Sequence, residues 1–485
     1  MENMRTLKGK SSKIEMTRGP VFGKILLFAV PLLLTNALQV LYNAADMIVV
    51  GRFSSAEGAV GAIGATGPLI NLMLNLLFGI AVGANVVVAR YIGAGNEERT
   101  RRAVHSSMQI AILCGLVSMA IGLLFSRQLL ELMNSDPQLI DMSDTYIKIY
   151  FLGVPFSSLL NYASAILRAK GDTTTPFAVL SVSGMLNVIL NVVFVAGFGM
   201  DVDGVAIATV ISTIASTVAV LGVMAKGDDW CRLELKRMVS FDLPTIRYIA
   251  RIGFPAGVQG TLFSLSNVFI QSAVNGFGPA VITGNSIAVN VEGLAYTATN
   301  SIYQAAITFT GQNVGAKKPE RLGMIMRSCY FATFCIAIIT SSLILAFSRE
   351  LTMLYINEET ANVAAVFDAA LFRYKVVITT YFLLAFMEVG SGLVRGMGKS
   401  FLSTAVSFVG SCLLRIAWIY TVFAMFPTYA VLLMVMPISW GVTAATHLIC
   451  ALILRKRLLK QIRLERAQTQ QEAQQKQEER EMTTA

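Results

Sequence analysis

The chain has 485 residues, of which 55% are hydrophobic and only 14% charged, and its mean hydropathy is +0.63. That composition excludes an ordinary soluble enzyme and fits an all-α polytopic membrane protein. The formal net charge of +10 is accounted for by loops that face anionic lipid, so it gives no reason to expect a nucleic-acid partner.

A bilayer crossing needs about 20 apolar residues. Twelve such stretches occur, at 22–51, 59–88, 104–126, 145–167, 176–198, 203–225, 249–276, 280–311, 326–347, 374–394, 401–426 and 430–454. The alternation of a transmembrane β-barrel is absent. Met1 to Gly19 is basic and polar, and the first apolar segment is too long for a signal-peptide core and lacks a cleavage pattern, so residues 1–20 are expected to stay in the cytoplasm.

Further along, basic residues gather at alternate ends of the spans: Arg99, Arg101 and Arg102; Arg168 and Lys170; Lys226 to Arg251; Lys317, Lys318 and Arg321; Arg395 and Lys399; Arg455 to Lys460. By the positive-inside rule these ends face the cytoplasm. The opposite ends carry Asp136, Asp141 and Asp144, then Asp201 and Asp203, then Glu358, Glu359 and Asp368. An even number of spans in the plasma membrane, with both termini cytoplasmic, satisfies this pattern. Residues 456–485 form a polar tail, and the Gln/Glu-rich part from Gln468 is expected to stay unpacked.

One carboxylate, Asp46, interrupts the otherwise uncharged stretch from Ile25 to Gly51. Placing Asp at the centre of a membrane helix costs about 2.5–3.5 kcal/mol on insertion scales, so such a group is expected to face protein or water and to have a task. The plainer alternative is a solvated helix end beside Arg52. Counting back from the outer loops at 1.5 Å per residue places Asp46 about 9 Å deep, Asn191 about 15 Å and Thr209 about 9 Å, with Asn187 one turn below Asn191 on the same face. A carboxylate, two amides and a hydroxyl at similar depth suit a proton or Na⁺. The alternative for the two Asn is ordinary hydrogen bonding between helices.

The chain also repeats itself. Val30 to Phe53 aligns with Phe254 to Phe277, matching Pro31 to Pro255 and Asn43 to Asn267; YIGAGNEER from Tyr91 matches NVGAKKPER from Asn313; and ILRAKGDTTTP from Ile166 matches LVRGMGKSFLS from Leu393. The shift of roughly 220–227 residues predicts two six-helix bundles, at 21–225 and 248–455, joined by a cytoplasmic linker at 226–247. Because six is even, the bundles are related by a pseudo-two-fold axis along the membrane normal, with a substrate path between them. At the repeat positions of Asp46, Asn187 and Asn191 stand Ile270, Leu414 and Trp418. A purely architectural device would be expected twice.

In the second bundle Glu292, Glu388 and Arg415 are intramembrane charges and candidates for a substrate cleft. Glu292, roughly 15 Å into its span, is expected to be reachable from the cavity and to hold an organic cation; the alternative is internal pairing. Six cysteines without paired spacing and two isolated histidines, His105 and His447, give no sign of a disulfide framework, metal site or cofactor. No Walker A motif occurs, and no nucleophile or acid–base constellation points to an enzyme.

The first-span segment VPLLLTNALQVLYNAADMIVVGRF, the IGAGNEER and VGAKKPER loops, the LRAKGDTTTP turn, and NVILNVVF with GVAIAT resemble the multidrug and toxic compound extrusion (MATE) family, in order and over nearly the whole chain. The resemblance implies a twelve-helix secondary exporter, working as a monomer, that exchanges amphipathic, often cationic, compounds for inward H⁺ or Na⁺. It also implies a coupling-cation site at Asp46, Asn187, Asn191 and Thr209. The chain departs from the family in two places: one branch carries Asp where Asn191 stands, and another has a seventh-span acid where Gly257 to Asn267 has none. A flippase for lipid-linked sugars, similar in bundle plan, is the alternative, and it would want a strongly cationic cleft.

Overall fold

The computed structural model describes residues 14–53, 58–133, 138–356 and 362–484. Among them there is no strand, and twelve long helices follow in chain order. The first bundle comprises α1 (Val21–Phe53), α2 (Ala59–Gly93), α3 (Glu97–Leu132), α4 (Ile140–Ala169), α5 (Thr174–Gly197) and α6 (Val202–Lys226). The second comprises α7 (Leu243–Val274), α8 (Pro279–Gly315), α9 (Pro319–Ala346), α10 (Val363–Ile378 and Tyr381–Gly396, bent by 46°), α11 (Ser400–Phe423) and α12 (Tyr429–Thr484).

Nine of these helices are long and apolar enough to cross a membrane, and α10 is a tenth when its two segments are taken as one span. Helices α7 and α8 have the length, 32 and 37 residues, but carry more polar side chains. Gln259 on α7 and Asn285, Glu292, Gln312 and Asn313 on α8 are all buried in the protein, where neighbouring helices and not lipid solvate them.

The helix ends show why the chain turns where it does. The Asn96 side chain accepts from the Arg99 backbone N–H at 2.9 Å, with Glu97 and Glu98 in the first turn of α3, so cap and charge both satisfy the exposed N–H groups. In the repeated loops Gly95 (φ 68°) and Lys317 (φ 52°), 222 positions apart, are both left-handed, as are Gly171 (φ 89°) and Gly398 (φ 78°), 227 apart. The wide helical turns recur as well, at Val192–Gly197 and Ile419–Phe423.

The two-fold relation is plainest where the bundles meet on the face that carries the basic loops. A Cβ on Gly93 would lie 2.0 Å from the carbonyl oxygen of Gln312, and one on Gly315 would lie 2.0 Å from that of Arg90. These contacts are repeat mates of one another. The donors of the bonds across the interface are repeat mates too, and their acceptors lie one position out of register: Arg90 Nη2 donates to the Met397 carbonyl at 2.8 Å, and Gln312 Nε2 to the Ala169 carbonyl at 2.7 Å. Helix α2 packs along α7 and α8.

Helix α1 serves both halves. Near the basic face Val21, Ile25 and Phe28 share a core with Ile302, Phe309 and Ile325 of the second bundle, whereas near the acidic face Val49 and Val50 pack with Tyr146, Val195 and Val205 of the first.

Two features, the start of α10 and the burial of Arg395, differ from the sequence expectation, and the linker and the last helix add detail to it. Helix α10 begins at Val363, not near 374, because its first turns carry an exposed Asp368 and a buried Arg373 that break the apolar count. Arg395, expected in a solvated loop, is buried, donating to Tyr303 Oη and, at 2.6 Å, to Gln259 Oε1. The linker is docked: Gln109 Nε2 donates to the carbonyls of Met238 and Ser240, both at 2.9 Å, and Lys170 pairs with Asp229 at 2.7 Å. Finally, α12 continues as helix through Thr484, and ion pairs Lys317–Glu465 (2.8 Å) and Arg466–Glu320 (2.9 Å) hold its first polar turns against the α8–α9 loop. Asp136, Glu358 and Glu359 lie outside the described residues.

Candidate functional site

In the first bundle the structure brings together the four residues that depth counting put on one level. Asn191 Nδ2 on α5 donates to Asp46 Oδ1 on α1 and lies 3.4 Å from Asn187 Oδ1; Asn187 Nδ2 in turn donates to Thr209 Oγ1 on α6 at 3.3 Å. The i, i+4 spacing of the two Asn sets them one above the other on α5. Asn187 and Asn191 are buried and Asp46 is half-buried. Among the described residues Asp46 makes no ion pair, and Arg52, the expected partner of a solvated helix end, is exposed.

Two further observations bear on what this cluster can hold. Asn191 Oδ1 is buried and accepts no hydrogen bond, so a hard oxygen is left over beside the carboxylate. Tyr146 of α4 shares a core with Val49 and Val50 of α1, one turn beyond Asp46, and stacks on Tyr150 with ring centroids 6.3 Å apart; sequence counting missed them because aromatic residues in spans are usually packing. A carboxylate with no basic counter-ion among the described residues, next to an unused amide oxygen, offers hard oxygens of the kind a small cation takes, whereas an intramembrane charge more often acquires a protein partner.

A cavity of about 600 Å³, walled mainly by the second bundle and also by Asn75 of α2, has a polar lining that includes Asn267, Glu292, Arg373, Glu388 and Arg415. Glu292 does line it, but not as a free carboxylate. Arg373 grips it in a two-pronged pair, Nε to Oε1 at 2.6 Å and Nη2 to Oε2 at 2.8 Å, while Arg373 Nη1 donates to Asn285 Oδ1 at 2.9 Å. Tyr429 Oη also donates to Asn285 Oδ1, at 3.1 Å, and Asn285 Nδ2 donates to Gln271 Oε1 at 3.2 Å. The expectation that Glu292 holds an organic cation is therefore corrected: its charge is already neutralised inside the bundle. The signal for Arg373 was available in the sequence as a second intramembrane charge awaiting a partner, but the span count placed it in a loop.

Glu388 and Arg415 behave differently. Glu388 is buried against the cavity and has neither ion pair nor hydrogen bond among the described residues; Arg395, held by Tyr303 and Gln259, acts on it only at a distance. Among the described residues Arg415 is bound only by neutral groups, Nε to Ser439 Oγ at 3.1 Å and Nη1 to Asn267 Oδ1 at 3.2 Å. Tyr296, Tyr381 and Trp440 add aromatic surface, the last two edge to face with centroids 5.9 Å apart.

Two six-helix bundles about an axis along the membrane normal, with an intramembrane carboxylate cluster in one and a polar-centred cavity in the other, have the architecture of a membrane transporter. The MatE family profile matches residues 31–193 and 255–421, and the chain belongs to that family of multidrug efflux transporters. It is 31% identical over 345 residues to the probable multidrug resistance protein YoeA of Bacillus subtilis, covering 70% of this chain and 74% of that one. It is 22% identical over 384 residues to the multidrug export protein MepA of Staphylococcus aureus, covering 79% and 83%.

Among solved structures, a MATE transporter in its straight conformation superposes with a TM-score of 0.85 at 20% identity, covering 93% of this chain and all of that one. A transporter of Pyrococcus furiosus described by the reverse polarity of its binding pocket gives 0.86 at 20% identity, covering 93% and 99%.

Proposed function

We propose that this chain exports amphipathic, often cationic, compounds across the cytoplasmic membrane by alternating access, in exchange for inward H⁺ or Na⁺. The observation that carries the proposal is the assembled Asp46–Asn191–Asn187–Thr209 cluster, a carboxylate with no basic partner among the described residues. In this proposal Asp46 binds the coupling cation, and the two Asn and Thr209 adjust its affinity. The basic face is cytoplasmic, so the reciprocal bonds of Arg90 and Gln312 close the inner side of the path and must break for the inward-open state. Na⁺ and H⁺ are separated by measuring efflux in everted vesicles with each gradient imposed alone.

Two outcomes follow from the geometry. Ala at Asn187, Asn191 or Thr209 removes a link in the chain that ends on the carboxylate, so each is expected to shift the pH or Na⁺ dependence of transport several-fold while leaving the apparent affinity for drug unchanged. Cation dependences that coincide with wild type would detach these side chains from coupling.

Glu388 is the cavity carboxylate free to meet a substrate. A monovalent organic cation at 4 Å gains about 4 kcal/mol at an effective dielectric near 20, reduced by desolvation, with the aromatic walls adding cation–π attraction. Glu388→Gln is expected to weaken export of organic cations by roughly 10-fold or more, well within that attraction, and to spare neutral compounds. Arg415, which lacks an acidic partner, favours the alternative of an anionic, lipid-linked cargo as in a flippase. Under that alternative Arg415→Gln, and not Glu388→Gln, removes transport.

A further inference from the structure

Outside the coupling cluster and the central cavity, the second bundle carries a groove of about 680 Å³ on its flank, walled by Met326 and Tyr330 of α9, Leu383 and Phe386 of α10, and Leu448 and Leu452 of α12. We infer that this groove is a binding site for one anionic phospholipid of the leaflet on the basic face, with an acyl chain along the groove and the phosphate between Arg327 and Arg455.

The groove is almost wholly apolar except at its end on the basic face, where Arg327 and Arg455 complete the lining. From Gly441 to Arg455 it follows fourteen residues of α12, roughly 21 Å of helix axis, which is more than the depth of one leaflet's hydrocarbon, about 15 Å. An opening of that length beside lipid fills with an acyl chain, because an empty apolar groove forfeits dispersion contacts along its whole lining.

Charge decides which lipid. Arg327 lies one turn beyond Gly323 on α9, and the Arg455 guanidinium is laid directly over that glycine, where a Cβ would meet Nη2 at 2.8 Å. The two cations are thus gathered at one level. Neither forms an ion pair or hydrogen bond among the described residues, and Arg455 Nε is fully buried without a partner. Of the neighbouring basic groups, Lys317 and Arg466 pair with Glu465 and Glu320 and Arg321 donates to the Gly19 carbonyl, whereas Lys456, Arg457 and Lys460 lie outside the groove lining, so Arg327 and Arg455 are the cations that face it. Two arginines left unpaired at the membrane boundary match the geometry of a lipid phosphate, which accepts planar, two-pronged donation. A zwitterionic headgroup carries its own cation and satisfies them less well.

The test uses the full-length protein, equilibrated in detergent with phosphatidylglycerol or with phosphatidylcholine of the same acyl chains, retained lipid being read by native mass spectrometry. Wild type is expected to retain phosphatidylglycerol preferentially. The Arg327→Gln/Arg455→Gln variant should lose that preference by roughly 10-fold or more, the scale of two near-surface cation–phosphate attractions, and Arg327→Lys/Arg455→Lys should keep most of it. Gly441→Leu leaves both arginines but occupies the groove, where a Cβ meets only Leu383 at 3.8 Å, so it should lower retention as well. Excess glycerol phosphate should not displace the lipid.

Equal retention of the two lipids by wild type, unchanged retention in Gly441→Leu, or displacement by glycerol phosphate would each overturn the inference. The lipid comparison and the displacement need only the wild-type chain, so a variant that fails to fold does not leave the question open.

Discussion

Replacing Asp46 by Asn is expected to abolish gradient-driven export while leaving a folded protein that still binds drug. Asn keeps the shape of the side chain and an oxygen that can accept from Asn191 Nδ2, so the link between α1 and α5 survives. What disappears is the negative charge, and with it the proton site or the Na⁺ ligand. Because a ligand moves an equilibrium only by its differential affinity for two states, a site that no longer binds the cation cannot transmit the gradient. Efflux in everted vesicles should fall to the level of vesicles lacking the protein, whereas equilibrium drug binding to the purified variant should stay within a few-fold of wild type. Wild-type efflux by Asp46→Asn would sink the assignment, and loss of drug binding would show that the residue serves the fold.

Breaking the Arg373–Glu292 pair should have the largest effect on stability. Arg373→Met leaves the Glu292 carboxylate in the same interior with Tyr429 and Asn285 unable to compensate, and removal of one partner from a buried pair costs about 3–5 kcal/mol. Replacing both residues, Arg373→Met with Glu292→Met, removes the stranded charge and is expected to recover most of that loss. Thermal unfolding of the single and double variants in detergent checks this, the double variant melting closer to wild type than either single. Such a result also fixes the reading of transport in Glu292→Gln: export of cationic and neutral compounds should fall together, through the fold, in contrast to the selective loss expected for Glu388→Gln. If Arg373→Met melts with wild type, the pair is not what holds α8 to α10.

Helix number, the internal repeat and the Asp46 cluster were legible in the sequence for the same reason. Each depends on one-dimensional regularities: a bilayer sets the length of apolar runs, a repeat preserves its turn residues at a fixed shift, as the left-handed Gly95 and Lys317 do, and a helical rise of 1.5 Å converts position into depth. Depth counting put Asp46, Asn187, Asn191 and Thr209 on a level, but a level is a plane; only the packing of α1, α5 and α6 turned four side chains toward one point in it.

The second bundle shows the limit more sharply. Glu292, Glu388 and Arg415 are three similar charges in the sequence, and nothing local distinguishes them. Tertiary structure assigned Glu292 to Arg373, 81 positions away, and among the described residues left Glu388 without a partner against the cavity and gave Arg415 only neutral ones. The energy of a buried charge is set by what faces it across the helix interface, and that neighbour is chosen by the crossing of helices far apart in the chain. Composition and periodicity by themselves determined a two-bundle helical membrane protein with an acid in its first span. Which of its charges are glue and which are free to bind was decided only when the helices packed.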